Sequence, residues 1–410
     1  MKIGLFTDFY APHTGGVESA VAAHAAALRA RGHTVTIVCP GNLKQKQAAS
    51  GEVRLESHHY KPVAKHHPLV LPTKANQRIV DKLDFDVVHV HTEHAAAFLG
   101  VWYARRHRVP VFETKHTDNV AWVQLNRPAA LLRVDAFTLD RWTTRWSRHL
   151  GLTARPKLRF TDEPAFARHS WRHMLLLTPY MTATLGPSKY LLDQARKHYP
   201  AGHYIVLQNG IDTGRFTPEY EAADQPVRIL WVARTSAEKR PLQFLQAISL
   251  LASKTEVPFV VDLIGAGNQD AQIRQYVAKH NLANVRLHGS LLRDEVLPFF
   301  NHADIFAFTS YHFDTQGLVV AEALSAGAAV MLCDERVMPP DAGRIADGLR
   351  LSASPSAHDM AATLGTMLRK KTAAAAPLRG FAAATYSLDV LGERLEEIYR
   401  TPKSLRTRRS

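Results

Sequence analysis

Residues 2–39 read KIGLFTDFYAPHTGGVESAVAAHAAALRARGHTVTIVC, and their reading decides the fold. KIGLF (2–6) is an apolar run of strand length. Polar and turn residues then lead to the pair Gly15-Gly16. From there Val17, Val21, Ala25 and Leu28 recur at helical spacing, and Gly32 punctuates the end. HTVTIVC (33–39) is a second apolar run. Strand, glycine turn, helix, strand is the unit of a parallel sheet, because parallel neighbours need a crossover between them.

The alternation continues outward. DVVHVH (86–91) and VPVFETKH (109–116) read as strands, with AAAFLGVWYARRH between them as a helix. After QNGIDTGRF (208–216) it begins again. RILWVAR (228–234), FVVDLIG (259–265), NVRLHG (284–289), IFAFTS (305–310) and AAVMLC (328–333) read as strands. RPLQFLQAISLLASK, AQIRQYVAKHN and VVAEALSAG read as the intervening helices. The expected fold class is therefore α/β, with two Rossmann-like domains facing a cleft. Their expected bounds are 1–204 and 205–385, followed by a helix at 386–402 and a basic tail at 403–410. A length of 410 residues suits two such cores.

Composition bounds the function classes. Hydrophobic content of 46% and charge of 21% are those of a globular protein. No run approaches the ~18–20 apolar residues of a membrane-spanning helix, and the opening apolar stretch is too short for a secretory signal. Cys39 and Cys333 each fall in or at the end of a strand-like run. They are expected to be buried free thiols, as in a reducing cytosol.

The net charge of +14 is localised. Residues 101–200 hold 17 Lys/Arg against 7 Asp/Glu, and 401–410 hold four against none, so the rest is neutral in sum. The stretch 120–180 fits neither alternation. Within it RWTTRWSRHL sets Trp142 and Trp146 four apart beside Arg141, Arg145 and Arg148, a basic helix with an aromatic edge. Such a segment points to a localised anionic partner. Nucleic acid is not expected, because no recognised binding motif is present and the charge avoids the expected cleft.

Several residues are candidates for chemistry. Gly15-Gly16, before a helix, lets an anion approach backbone N–H groups, though it also makes an ordinary turn. A dinucleotide fingerprint is absent: there is no G-x-G-x-x-G, and the second strand ends Cys39-Pro40-Gly41 without an acid for a ribose. Arg234 and Lys239 follow an apolar strand, where two cations can neutralise a diphosphate or simply face solvent. Glu322 sits among Val319, Val320, Ala323 and Leu324 and needs a partner, either a ribose diol or a nearby Arg. Asp314, ahead of Thr315-Gln316-Gly317, suits a sugar or phosphate site or a helix cap. His91 and His116 end two predicted strands. Asp84 and Asp86 read as a strand start, so no metal site is expected.

Taken in order, these pieces resemble the retaining nucleotide-sugar glycosyltransferases of the GT-B fold, of the group 1/family 4 type. They look closest to bacterial diacylglycerol glucosyltransferases and phosphatidylinositol mannosyltransferases. The likeness rests on GLFTDFYAPHTGGVE, DVVHVHTEH, FETKHT, LGPSKYL with QNGIDTGRF, ARTSAEKR and DTQGLVVAEALSAG. It covers most of the chain except 120–180.

The resemblance implies a hexose moved from a nucleotide sugar, of the UDP-glucose kind, to an acceptor hydroxyl. It implies retention of anomeric configuration, no divalent metal, and no cofactor beyond the donor. Arg234 and Lys239 would bind the donor diphosphate, and Glu322 the ribose hydroxyls. Asp314 would hold sugar hydroxyls, with the N–H groups of Gln316, Gly317 and Leu318 near sugar and phosphate. His116 would lie near the donor sugar, and Gly15 and Gly16 near phosphate and acceptor. The implied acceptor is a lipid or a lipid-linked, cell-envelope glycan, reached by a cytoplasmic enzyme peripheral to the inner face of an anionic plasma membrane.

The family's first acid is usually Glu. Here it is Asp314, whose carboxylate is withdrawn by about 1.3–1.5 Å on an unmoved backbone. A catalytically silent GT-B binding protein and a nucleotide-sugar epimerase of the same fold are the alternatives.

Overall fold

The computed structural model describes residues 1–11, 15–41, 50–59, 68–126, 132–218, 225–370 and 375–400. The expected basic tail and part of the loop before Gly15 lie outside the described residues. The chain divides into two units, and each is built around its own parallel sheet.

Unit 1 comprises Met1–Gly210 and the segment from Leu388 onward. Its first strands are β1 (Lys2–Phe6), β2 (Thr34–Pro40) and β3 (Glu52–Leu55), with β4 (Ser57–His59) and β5 (Pro68–Val70) forming a small antiparallel pair. β6 (Val87–Val90), β7 (Val111–Thr114), β8 (Ala183–Gly186) and β9 (Tyr204–Val206) follow. The large sheet runs β3-β2-β1-β6-β7-β8-β9, parallel throughout. Its crossovers contain α1 (Gly16–Ala30), α2 (Lys74–Asp81) and α3 (Ala95–His107).

Between β7 and β8 the crossover is enlarged into α4 (Asn119–Asn126), α5 (Leu132–His149) and α6 (Ala165–Leu175). The stretch that fitted neither alternation is this helical insertion. α7 (Lys189–His198) then leads into β9.

Strand alternation sorts the core into two layers. Ile3, Leu5 and Val87 face α1, whereas Phe6, Val88 and Val90 face α3. α3 is apolar nearly all round because it is buried on most sides. Gly100 lets it approach closely: a Cβ there would come within 2.9 Å of Val90 Cγ1 and 3.0 Å of Phe6 Cγ.

Unit 2 is Ile211–Ser387. β10 (Val227–Val232), β11 (Phe259–Ile264), β12 (Val285–Gly289), β13 (Ile305–Phe308), β14 (Ala329–Leu332) and β15 (Leu349–Leu351) form its sheet. The order is β12-β11-β10-β13-β14-β15, again all parallel. α8 (Pro241–Ala252), α9 (Asp270–Lys279), α10 (Arg293–Asn301), α11 (Leu318–Ala326), α12 (Ala357–Arg369) and α13 (Ala375–Tyr386) cover the two faces. Cys39 and Cys333 are buried free thiols, and burial pushes both up to about 12.

Two expected bounds shift. β9 carries unit 1 past residue 204, so the division falls at Gly210/Ile211 rather than 204/205. The helix expected at 386–402 is α14 (Leu388–Tyr399), and it packs on α1 as part of unit 1. Its apolar stripe, Leu391, Leu395 and Tyr399, joins the core over β1, while Arg31 clips Glu396 with Nη2–Oε2 at 2.6 Å. Tyr399 also meets His89 through its hydroxyl at 2.6 Å.

Truncating a buried aromatic costs ~3–5 kcal/mol. Tyr399→Ala is therefore expected to destabilise unit 1 by that amount. In hydrogen exchange read by mass spectrometry, β2, β6 and β7 should exchange faster and β10 through β14 should not. Equal acceleration in both sheets would contradict the division.

Candidate active site

In each sheet the strand order reverses once, between β1 and β6 in unit 1 and between β10 and β13 in unit 2. Ligands in open α/β sheets bind at the carboxyl ends of strands at such a switch point. The sequence-predicted residues gather at these two places.

In unit 2, Lys239 ends the short turn Ala237–Lys239 after β10, and Asp314 lies on the loop after β13. The Lys239 ammonium donates to both Asp314 oxygens at 2.7 Å and stands over the Phe313 ring at 5.0 Å. A relay fixes its backbone. Trp231 Nε1 donates to Thr309 Oγ1 at 2.8 Å, and that hydroxyl donates to the Lys239 carbonyl at 2.6 Å. Trp231 and Thr309 are both buried, so the lysine is anchored to the sheet rather than to a mobile surface. Arg240 follows in the left-handed region at φ 59° and stacks over Tyr311 at 5.9 Å. Arg234 is two-thirds exposed and pairs with Glu238 at 3.1 Å, not with Asp314.

Asp314 is not a helix cap. Gly317 occupies the N-cap of α11 with no side-chain cap bond. Its φ of 72° favours glycine, and a Cβ would meet the Phe308 ring at 2.8 Å. Gln316 is buried beside it. Glu322 lies in the second turn of α11 with Arg293 Nη2 at 3.6 Å as its ion-pair partner. Burial pushes its carboxyl upward, and Arg293 and then Arg215 oppose this. The arrangement supplies a partly buried cation held by an acid, a helix N-terminus, and a carboxylate with capacity to accept hydroxyl donors.

In unit 1, Gly15 and Gly16 stand exposed at the start of α1, and among the described residues nothing lies within 4 Å of where a Gly16 Cβ would sit. Glu18 leans over Gly15, since a Cβ there would lie 2.6 Å from Glu18 Oε2. His91 and His116 follow β6 and β7, and His91 Nδ1 lies 3.0 Å from His116 Nε2. Their rings belong to a packed imidazole cluster with His24 of α1 and His89 of β6.

Burial holds His116 down to about 4. His24 is held down to about 3, by burial first and then His116. His89 and His91 lie well below the ordinary range, again chiefly through burial. Nitrogens of His24, His89 and His91 come within 4.8 Å of one another. Zinc would bring its nitrogens to about 3.3 Å apart. His89, moreover, spends one nitrogen on Tyr399 and the other on Thr114, which leaves two rings for a metal.

Three comparisons bear on this pair of sites. Residues 14–215 match the model of Glycosyltransferase Family 4, and 213–377 match that of Glycosyl transferases group 1. The chain belongs to the GT-B glycosyltransferases. It is 26% identical over 350 residues to an alpha-monoglucosyldiacylglycerol synthase of Acholeplasma laidlawii, covering 81% of this chain and 80% of that one. A phosphatidyl-myo-inositol mannosyltransferase of Propionibacterium freudenreichii is 22% identical over 380 residues, 87% of this chain and 84% of its own. Among solved structures, Anabaena HepE in complex with UDP and glucose superposes with a TM-score of 0.66 at 15% identity. That match covers 98% of this chain and 100% of HepE.

Buried polar groups that the sequence did not single out also brace this glycosyltransferase. Asp8, two residues past β1, accepts from Val70 N at 2.9 Å, Thr92 Oγ1 at 2.9 Å and Ala96 N at 3.0 Å. Burial nevertheless lifts it to about 6. Lys115, beside His116, is fully buried and pairs with Glu113 at 2.9 Å and Glu93 at 3.6 Å. Glu93 is lifted to about 7 by burial, against the pull of Lys115. The sequence signal for these groups was charge inside or just beyond a strand, as in FETKH, which has no place on a buried sheet unless paired.

His24 is neutral when folded and takes a proton when unfolded below about 6.5, so it favours unfolding as pH falls from about 6.5 toward 3. Asp8 and Glu93, raised by burial, act in the opposite sense over their own ranges. Comparing wild type with His24→Leu isolates the imidazole. The variant's loss of unfolding free energy between pH 7 and pH 5 in urea should be smaller by roughly 1–2 kcal/mol. An unchanged difference would contradict a neutral buried His24.

Proposed function

We propose that the chain is a retaining, metal-independent hexosyltransferase that uses a nucleotide-sugar donor. Its acceptor is a hydroxyl of a lipid or a lipid-linked, cell-envelope glycan at an anionic membrane surface. The carrying observation is the Lys239–Asp314 pair beside the α11 N-terminus, with Glu322 one turn further on.

Departure of the sugar leaves negative charge on the diphosphate. Lys239 and Arg234 stabilise that charge, and the N–H groups of Gln316, Gly317 and Leu318, leading into α11, add to them. Glu322 exchanges Arg293, a 3.6 Å partner, for ribose hydroxyls. Asp314 is short by a methylene and holds Lys239 with both oxygens. It therefore acts on the sugar partly by fixing the ammonium. His116, neutral at physiological pH, contacts the donor sugar as a hydrogen-bonding group and not as a cation. Retention follows from same-face attack within an ion-pair-like step, with the leaving diphosphate still in place.

The acceptor reading draws on α5. A groove of about 920 Å³ runs along it, lined by Arg141, Trp142, Arg145, Trp146 and Arg148 among others. Trp146 turns inward against Phe98, while Val134, Phe137 and Trp142 stay exposed. Exposed apolar rings beside arginines on one helix suit the headgroup region of a bilayer. Among the described residues no helix is long and apolar enough to cross a membrane. The names of the two lipid glycosyltransferase relatives fit the same reading.

Incubation with a panel of nucleotide sugars and lipid acceptors should release nucleoside diphosphate, and proton NMR of the product should show the donor's anomeric configuration. Lys239→Ala and Glu322→Ala should each lower turnover on the order of 100-fold or more. Inversion at the anomeric carbon would sink the retaining mechanism. Binding without turnover would favour a silent binding protein, and interconversion of the free donor an epimerase.

Exchanging Arg141, Arg145 and Arg148 for Ala should weaken co-sedimentation with anionic vesicles on the order of 100-fold, at ~1 kcal/mol per arginine. Equal sedimentation with neutral vesicles counts against the membrane surface.

A further inference from the structure

We infer that His91 is a positioning residue that sets the tautomer of His116. The inference rests on the proposed contact between His116 and the donor sugar. β6 and β7 are parallel neighbours, with Val90 opposite Glu113, so the residues just past their ends emerge side by side. The two rings lie 5.3 Å apart with planes at 15°, and His91 Nδ1 meets His116 Nε2 at 3.0 Å.

His89 supplies an internal contrast. It lies two residues earlier on the same face of the sheet, and both its nitrogens are bonded, to Tyr399 at 2.6 Å and Thr114 at 2.7 Å. It ties β6 to β7 and to α14, and its polarity is explained by structure alone. His91 is 2% exposed, and among the described residues its Nε2 meets no hydrogen-bond partner. A buried polar atom left unmatched costs about 1–3 kcal/mol, so an apolar ring would pack there more favourably. What His91 adds is one hydrogen bond, and that bond goes to His116.

Only one proton lies between the two nitrogens. Were His116 Nε2–H the donor, neutral His91 would carry its proton on Nε2 as a buried N–H without an acceptor. With His91 Nδ1–H as donor, the unmatched atom is a bare lone pair. Orphaned buried N–H groups are the rarer and costlier of the two. His91 therefore donates, His116 accepts at Nε2, and the neutral His116 ring keeps its own proton on Nδ1. Any hydrogen bond that His116 gives to a donor-sugar oxygen leaves from Nδ1. Without His91 that constraint at Nε2 is lost, and the Nε2–H tautomer gains population.

The test uses the full chain with ¹⁵N-labelled histidine and long-range proton–nitrogen correlation, assigned with His116→Ala and His91→Phe. Wild type should show His116 protonated at Nδ1 and bare at Nε2. His91→Phe should move that signal toward the Nε2–H form. It should also lower kcat for nucleoside diphosphate release ~10–100-fold, with donor KM changed less than about threefold. His91→Asn places an amide N–H near the Nδ1 position and should restore both the tautomer and at least about tenfold of the rate.

An Nε2-protonated His116 in wild type overturns the inference. So does a His91→Phe enzyme with wild-type kcat, or an Asn variant no better than Phe. If His116→Ala turns over at the wild-type rate, the proposed role of His116 fails, while the tautomer measurement still decides what His91 does to it.

Discussion

A parallel sheet buries both faces, and that single constraint arranges everything else in this protein. Every strand of a parallel sheet points the same way, so each connection must cross back over a face, and the loops after the strands collect along one edge. Polar residues are excluded from the covered faces and tolerated at that edge. Where the strand order reverses, adjacent loops diverge to opposite faces and leave room for a ligand. Lys239 and Asp314 stand at such a reversal in unit 2, and Asp8, His91 and the glycines before α1 at the one in unit 1.

The ion pair between Lys239 and Asp314 shows how the sheet makes a functional group rigid. The lysine is held at its ammonium by two carboxylate oxygens and at its carbonyl by Thr309, which is held in turn by Trp231 inside the core. A lysine anchored at both ends presents its charge to any bound anion with little reorganisation. The same economy appears in unit 1, where imidazoles are packed so tightly that burial holds them neutral.

Much of this was legible from local pattern. Strand–helix alternation gave β1, β2, β6 and β7 of one sheet and β10 through β14 of the other, because hydrophobic period survives without knowledge of partners, whereas β3, β8, β9 and β15, at three or four residues each, went unread. The family resemblance grouped Lys239 with Asp314, and the two do meet across loops that follow neighbouring strands. What stayed hidden depends on pairing across long separations. Tyr399 meets His89 310 residues away, so the attachment of α14 to unit 1 left no local trace. Lys115 donates to the Met174 carbonyl across the α4–α6 insertion, 59 residues on. Asp314 read equally as a helix cap because capping is judged from neighbours in sequence, whereas its partner comes from another loop. The boundary at 204 fell short because β9 is only three residues long, too brief to show a period.

The central claim is that the donor binds at the strand reversal in unit 2. Hydrogen exchange of the full chain, with and without a saturating nucleotide sugar whose binding is first established by calorimetry, tests it most directly. The account predicts slowed exchange in 233–240 and 309–322, with β12 and β15 unchanged. Protection confined to unit 1, or no protection in 233–240 and 309–322 despite measured binding, would contradict it.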